Sequence, residues 1–565
     1  MAKFQTGETR MKASARILAL LLAVLMLVAV FAGCNKPAED PSSSEVQSSS
    51  SVEPSSSSVE PSSSSVEPAS SSVVEPSSSV EPASSSETPV VTKDPKATAT
   101  QAPKATATKA PAKKYAAEPK VDLGGFKLRI RSKYLSAAAA PSSSATAKTK
   151  AVAKQIDDAK KALNFDVIAT VCSTDYADYA TVKQAIQAGN KNIGHIYETT
   201  MPLALAGYAS KYFIDLRTID AEKTGFDIDD PDRFWQGKTK ACALDGAQFG
   251  VCMIGNDESS IGKVFMGIHF MFNKAITEKH GYSAASIYKM VRDYKWTLDA
   301  AEKIINACYE ADSNGDGKAE VYGLLSYDRQ HKYYLNLNKD TTVTKVNGQY
   351  KFTANSKNIM VVFEWLQRMY QTNKVAAPMG ASAVREAFMN GQGAFLQCAG
   401  GYIVEKQMLA KLDYFQANIG IIPSPVGPAQ IALKKYANSC SNSNCFVIPA
   451  INTGADREKA ATALAAIALR VNSVDDYKKN LYDMGVLRNK DDIDMAENYL
   501  WNCVVTDPGY VTEITGTSGV DPLSCMVGRV TGFASSNPGT TLTASESIAY
   551  YESIVNKQLK EIYKR

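Results

Sequence analysis

The residues with the most explicit chemical spacing form one hexamer, Asp312-Ser313-Asn314-Gly315-Asp316-Gly317. Oxygen side chains at alternate positions, then a glycine for a sharp turn, are what a calcium loop uses. Asp312, Asn314, Asp316, the Lys318 carbonyl and Glu320 are therefore candidate ligands for a structural Ca2+, although Gly323 stands where the bidentate acid belongs. A polar turn without metal fits the same residues. Elsewhere the chemistry is bounded by missing motifs. The four histidines, His195, His269, His280 and His331, never fall at ligand spacing with one another. Gly262-Lys263 is followed by Val264 where a phosphate loop needs Ser or Thr, and Gly391-Gln392-Gly393 fails as a dinucleotide fingerprint at Leu396. No Gly-x-Ser-x-Gly elbow occurs. A glycosidase carboxylate pair is assembled in space and leaves no spacing, so it stays open. No residue is assigned a catalytic role and no cofactor other than calcium is expected.

The elements that would position a binding site alternate along the chain. Val121 to Ile130 places a Gly-Gly turn ahead of residues alternating apolar and basic, which predicts a first strand. Val152, Ile156, Ala159 and Leu163 predict a helix, Phe165 to Cys172 a strand, Val182 to Ala188 a helix and Asn192 to Tyr197 a strand. That succession argues for a parallel sheet flanked by helices, with ligands beyond the carboxyl ends of its strands. Tyr197, Glu198 and Thr199 sit at one such end and are candidates for the crevice wall; a solvated capping loop is the alternative. Further strands are expected at Phe249 to Ile254, Val264 to Phe272, Gly393 to Cys398, Asn418 to Pro423 and Cys445 to Pro449. Helices are expected from Asn273 to His280, after an N-cap at Thr297, from Ile359 to Tyr370, from Ala383 to Met389 and from Arg457 to Val471.

Ahead of this region, Lys3, Arg10, Lys12 and Arg16 precede an apolar run from Ile17 to Phe31, then Ala32, Gly33 and Cys34. The pattern predicts a secretory leader over 1–33, and its last four residues resemble a bacterial lipobox, with Cys34 acylated (palmitate) as the first mature residue. An uncleaved anchor is the alternative. Residues 34–118 are expected to be a disordered stalk: Ser-Ser-Ser-Ser-Val-Glu-Pro repeats, then Lys among Ala, Thr and Pro, cannot offset the cost of ordering their backbone. Residues 119–565 remain, more than one core normally supports, so two lobes are expected. A formal net charge of only +4 implies no strongly basic or acidic partner and no nucleic acid. Ten cysteines, one of them Cys34, leave an odd number; Cys440 and Cys445 are close enough to bridge, but isolated buried thiols are expected in general.

Several stretches in order resemble the extracellular solute-binding proteins of ABC importers, in particular the large sugar-binding type of Gram-positive bacteria. They are Asp122-Leu123-Gly124-Gly125, Met271-Phe272-Asn273-Lys274 with a helix ending at His280-Gly281, and Trp296-Thr297-Leu298-Asp299. The blocks from Asp316-Gly317 to Tyr322-Gly323, from Phe388-Met389-Asn390-Gly391 to Gly401-Tyr402, and Ile421-Ile422-Pro423-Ser424-Pro425 ahead of Phe446-Val447-Ile448-Pro449 complete the series. The chain departs from that family near Tyr402, where a tryptophan is usual. The resemblance implies an α/β, two-lobed, type II clamp like the periplasmic binding proteins, each lobe a mixed, mainly parallel sheet flanked by helices. It implies a monomeric, lipid-anchored, non-enzymatic binder that closes on a sugar and presents it to permease subunits. Tyr402, Glu198, Asp257, Asp328 and Arg488, with Tyr197 and Trp296, are the ligand-binding set expected from it, since sugars need aromatic faces and polar groups. A stalked enzyme acting on polysaccharide and a wall-binding adhesin are the rival classes.

Overall fold

The computed structural model describes residues 119–139, 141, 143, 147–173, 176–253, 267–399, 417–439, 444–468, 489–500, 504–505, 507–514, 521–532 and 541–563. The leader, the stalk and Cys34 lie outside them, as do Asp257, Tyr402, Cys440 and Arg488.

The first strand, β1 (Phe126–Arg131), begins where the sequence places it. Gly124 and Gly125 both have positive φ, a conformation that favours glycine, and Asp122 accepts from the Gly124 N–H at 2.7 Å and from Asn164 Nδ2 at 2.8 Å. This turn launches β1 beside β2 (Phe165–Thr170), in parallel register from Phe126 with Phe165 to Arg131 with Thr170. Leu128 and Ile130 are buried while Lys127 is exposed, so the alternation divides a covered from a polar face. Covering that face is α1 (Ala147–Leu163), whose Val152, Ile156, Ala159 and Leu163 are all buried. Each of the larger aliphatics contributes about 1.5–3 kcal/mol by leaving water.

The third strand differs from expectation. Residues 191–193 form a 3-10 turn, because the Asn190 side chain accepts from the Asn192 N–H and starts a turn there, and β3 (Ile196–Thr200) begins at Ile196 rather than at Asn192. Between β2 and β3 lies α2 (Tyr176–Gln187), and β3 runs into α3 (Met201–Ala209). A small hairpin follows, β4 (Ala243–Leu244) with β5 (Ala247–Gln248). Instead of a strand from Phe249 to Ile254, the described residues show isolated bridges at Val251 and Met253.

The second sheet is built from β6 (Ile268–Asn273), β7 (Tyr322–Tyr327), β10 (Ala376–Met379), β11 (Gly393–Ala399) and β12 (Ile419–Pro423), in the order β10-β7-β11-β6-β12. A hairpin of β8 (Val343–Val346) and β9 (Gln349–Phe352) projects after β7. Side-chain caps hold its helices: Thr297, the cap expected from the sequence, accepts from Ala300 N–H ahead of α4 (Leu298–Ala307), and Asn273, expected as a first helical residue, instead caps by accepting from Ala275 and Ile276 N–H. The chain then returns through β13 (Asn438–Ser439) to β14 (Asn444–Val447), which completes the first sheet in the order β14-β3-β1-β2. Helix α5 (Gly454–Ile467) covers the first sheet together with α1, and β15 (Val504–Val505) pairs with β13. The late helices are α6 (Pro522–Thr531) and α7 (Ala544–Ile562), the latter opened by a Thr543/Glu546 capping box.

Each sheet thus consists of parallel strands and one antiparallel strand contributed by chain arriving from the other sheet. In the first, β14 runs antiparallel to β3; in the second, β6 runs antiparallel to both β11 and β12. Of the two buried clusters, one packs under α1 and α5 against the first sheet, and the other fills the second sheet and the remaining face of the first. The fold is a two-lobed α/β clamp with mixed, mainly parallel sheets.

Candidate functional site

Strand exchange locates the crevice. The chain enters the second sheet at the start of β6, which pairs with the carboxyl end of β11, and it leaves that sheet at the carboxyl end of β12. It re-enters the first sheet at Asn444, paired with Thr200 at the carboxyl end of β3. Both crossings therefore join carboxyl edge to carboxyl edge. Ser439 still lies against the second sheet, since a Cβ on Gly267 would sit 2.6 Å from its carbonyl oxygen. From Ser439 to Asn444 the chain can span at most about 18 Å, so the two edges stand no farther apart than that beside the crossing.

At the first edge, Arg131 ends β1 and its Nε donates to Asp178 of α2 at 3.0 Å. Burial pulls the Arg131 guanidinium down, but the Asp178 carboxylate outweighs it and holds the group above its ordinary value. Tyr197 is buried over Phe213 with its hydroxyl near Thr199 and Asp178, and desolvation pushes that hydroxyl well up. Glu198 is fully buried. It accepts from Ser132 Oγ, from the Lys133 N–H at 3.0 Å and from Asn444 Nδ2 at 2.8 Å. Its carboxylate ties the exit of β1 to the first residue of the returning strand, and so shapes the wall from behind. Lys133 is exposed on this edge and Arg131 partly so.

At the second edge, Tyr327 and Met379 are half-buried at the ends of β7 and β10. Asp328 opens the 3-10 segment Asp328–Asn336 directly after β7. In that segment Lys332 is buried against Asp521, the N-cap of α6, at 2.7 Å. Ser326 Oγ lies 2.7 Å from His331 Nε2 and 2.6 Å from the Tyr370 hydroxyl. The spacing matches a nucleophile and its base, but Ser326 and His331 are 0 and 1 % exposed, so bulk substrate does not reach them. Trp296 is corrected from a sugar-stacking candidate to a core residue: its indole N–H donates to the Pro423 carbonyl at 2.9 Å, and its ring stacks on Phe395. No face is left for a ligand.

Of the expected set, Tyr197 and Glu198 stand at one edge but are corrected from ligand contacts to residues behind the wall, since burial leaves them 1 and 0 % exposed; Asp328 begins the other edge, and Asp257, Tyr402 and Arg488 lie outside the described residues. Arg131, Lys133 and Tyr327 stand at the same two edges and are not among the residues expected from the sequence. The carboxyl-end rule applied to β1 and β7 as well as β3 would have found them.

The Asp312 loop fits calcium poorly. Asp312 accepts from the Gly315 and Gly317 N–H groups, Asn314 from Asp316, Asp316 from Lys318, and Glu320 from Ser313. Side-chain oxygens are turned onto their own backbone, and no group of three acidic, His or Cys side chains converges on a metal position among the described residues. At Gly323 a Cβ would lie 2.2 Å from the Ile305 carbonyl oxygen, so the missing bidentate acid has no room there. Cys445 is buried at the start of β14, and buried thiols are seen also at Cys308 and Cys525.

These lobes, joined by exchanged strands, form a two-lobed α/β clamp of the type II fold. No family model and no curated protein matches the sequence. Among solved structures the chain is similar to the sugar-binding protein MalE of Xanthomonas citri, at 13% identity and a TM-score of 0.51, covering 77% of this chain and 98% of that one. It is similar also to the galacto-N-biose/lacto-N-biose I-binding protein of an ABC transporter from Bifidobacterium longum, at 12% identity and 0.50, covering 78% and 98%. A designed esterase matches at 14% identity and 0.50, covering 78% and 99%. At these identities the likeness is one of fold.

Proposed function

We propose that this chain is the substrate-binding component of an ABC importer, held at the cell surface by a lipid on Cys34 and a flexible stalk. It captures a mono- or oligosaccharide between its lobes and hands it unchanged to permease subunits as a monomer without enzymatic activity. The observation that carries this reading is the pair of crossings that join the two carboxyl edges. Such paired crossings suit a hinge beside a crevice, the arrangement a binder needs to close on cargo and release it. Support comes from structural neighbours described as a sugar-binding protein and as a disaccharide-binding protein of an ABC transporter. Arg131, Lys133 and Tyr327, together with Asp257, Asp328, Tyr402 and Arg488, are the side chains we assign to the ligand.

A thermal-shift screen against mono- and oligosaccharides, peptides and metal ions tests it. A true ligand at 100 times its Kd stabilises by about 2.7 kcal/mol. Stabilisation by peptides or metals alone would remove the sugar assignment. Hydrolysis of an added polysaccharide would favour a stalked enzyme instead, and retention on cell wall with no small-molecule ligand an adhesin.

A further inference from the structure

Lined by none of the crevice residues named above, a cavity of about 560 Å3 opens between the β8/β9 hairpin, the end of α7 and the β4/β5 turn. Its hairpin wall is fixed by an Asn347-Gly348 turn with both residues at positive φ, the geometry that matches strand twist. The Tyr350 and Tyr563 rings stack with centroids 4.1 Å apart, and the Tyr563 hydroxyl donates to the Pro508 carbonyl at 3.1 Å. Asn556 accepts from the Phe352 N–H at 3.1 Å, which joins the helix wall to the hairpin wall. The cavity is therefore held open by bonds among its own walls.

Its charge is one-sided. Lys345 is matched by Asp245 at 2.8 Å, whereas Lys351 and Lys560 have no ion-pair partner among the described residues. Two ammonium groups, an amide and an aromatic wall around a volume within the roughly 300–1,000 Å3 of small-molecule sites select an anion with an apolar ring face. We infer that this cavity is a second ligand site, distinct from the interlobe crevice, for a saccharide of one or two rings bearing a carboxylate or sulfate. The lysines hold the anionic group, and the ring lies along the tyrosine wall.

The test is isothermal titration of the folded chain with glucuronic acid, its disaccharide and glucose sulfate, with glucose and inorganic phosphate alongside. Wild type is expected to bind the acidic sugars with affinity that falls as salt is raised. The double variant K351A/K560A should lose about tenfold or more, equivalent to about 1.4 kcal/mol. Both lysines are exposed, so the variant should melt with wild type. Equal affinity in both proteins, phosphate binding as tight as the acidic sugars, or no heat from any acidic sugar at millimolar concentration would each overturn the assignment. Neutral-sugar binding in the crevice is read separately in both proteins and should not change, so failure of one site is distinguishable from failure of the other.

Discussion

Replacing Glu198 with alanine separates a wall-building role from a ligand-contacting one. The carboxylate satisfies three donors, Ser132 Oγ, the Lys133 N–H and Asn444 Nδ2, in a position with no solvent exposure. Each donor orphaned by the truncation costs about 1–3 kcal/mol, and partial relaxation at Lys133 brings the expected total to about 4 kcal/mol. A glutamine at this position keeps one acceptor oxygen but sets an NH2 against the remaining donors, so E198Q should lose about half as much. Urea unfolding followed by tryptophan fluorescence should show the midpoint falling in the order wild type, E198Q, E198A with an unchanged slope. Sugar affinity, measured well below the unfolding transition, should change little. A loss of stability under about 1 kcal/mol in E198A, the low end for even one stranded donor, would refute the placement of this side chain behind the wall. So would abolished binding in a protein as stable as wild type.

Other perturbations have equally definite outcomes. Burial draws His269 down to about 4, so the folded state resists its protonation. Stability is therefore complete above the ordinary histidine value near 6.5 and is lost as pH falls toward 4, by about 3 kcal/mol; His269→Gln should flatten this limb in denaturant titrations at stepped pH. Burial pushes Asp521 up, but Lys332, Ser524 and the Leu523 N–H outweigh it and hold the carboxyl below its usual range. Lys332→Ala should cost about 3 kcal/mol at neutral pH by stranding that carboxylate, and the penalty should shrink as pH falls through the carboxylate range and Asp521 protonates. Added calcium, or a chelator, should leave the melting temperature unchanged, because the Asp312 loop satisfies itself; a saturable upward shift abolished by Asp312→Ala would overturn that.

Local patterns in the chain carried far in this protein. The alternation in Phe126–Arg131 names its own buried residues, and the caps at Asn273 and Thr297 are chosen by side chains that satisfy exposed helix N–H groups. What local pattern does not carry is partnership over distance. That Asn444 lies beside Thr200 follows from pairing between segments far apart in the chain, and the exchange of strands that defines the crevice follows from such pairings. Side-chain direction was equally hidden. Trp296 precedes a well-capped helix and looks available, yet Phe395 and the Pro423 carbonyl, both contributed by remote strands, enclose it. Glu198 stands at a strand end, as a ligand-binding acid would, but the pleat and its three donors turn it inward. The π-helical turn Arg368–Thr372, which continues the helix Lys357–Gln367, has no mark in the residue periodicity.

The short link from Ser439 to Asn444 has a mechanical meaning of its own. Such a leash sets an upper limit on how far the two carboxyl edges can part at that point. On the sugar-binding reading proposed above, a chain of sugars longer than that opening is gripped at only a few of its units.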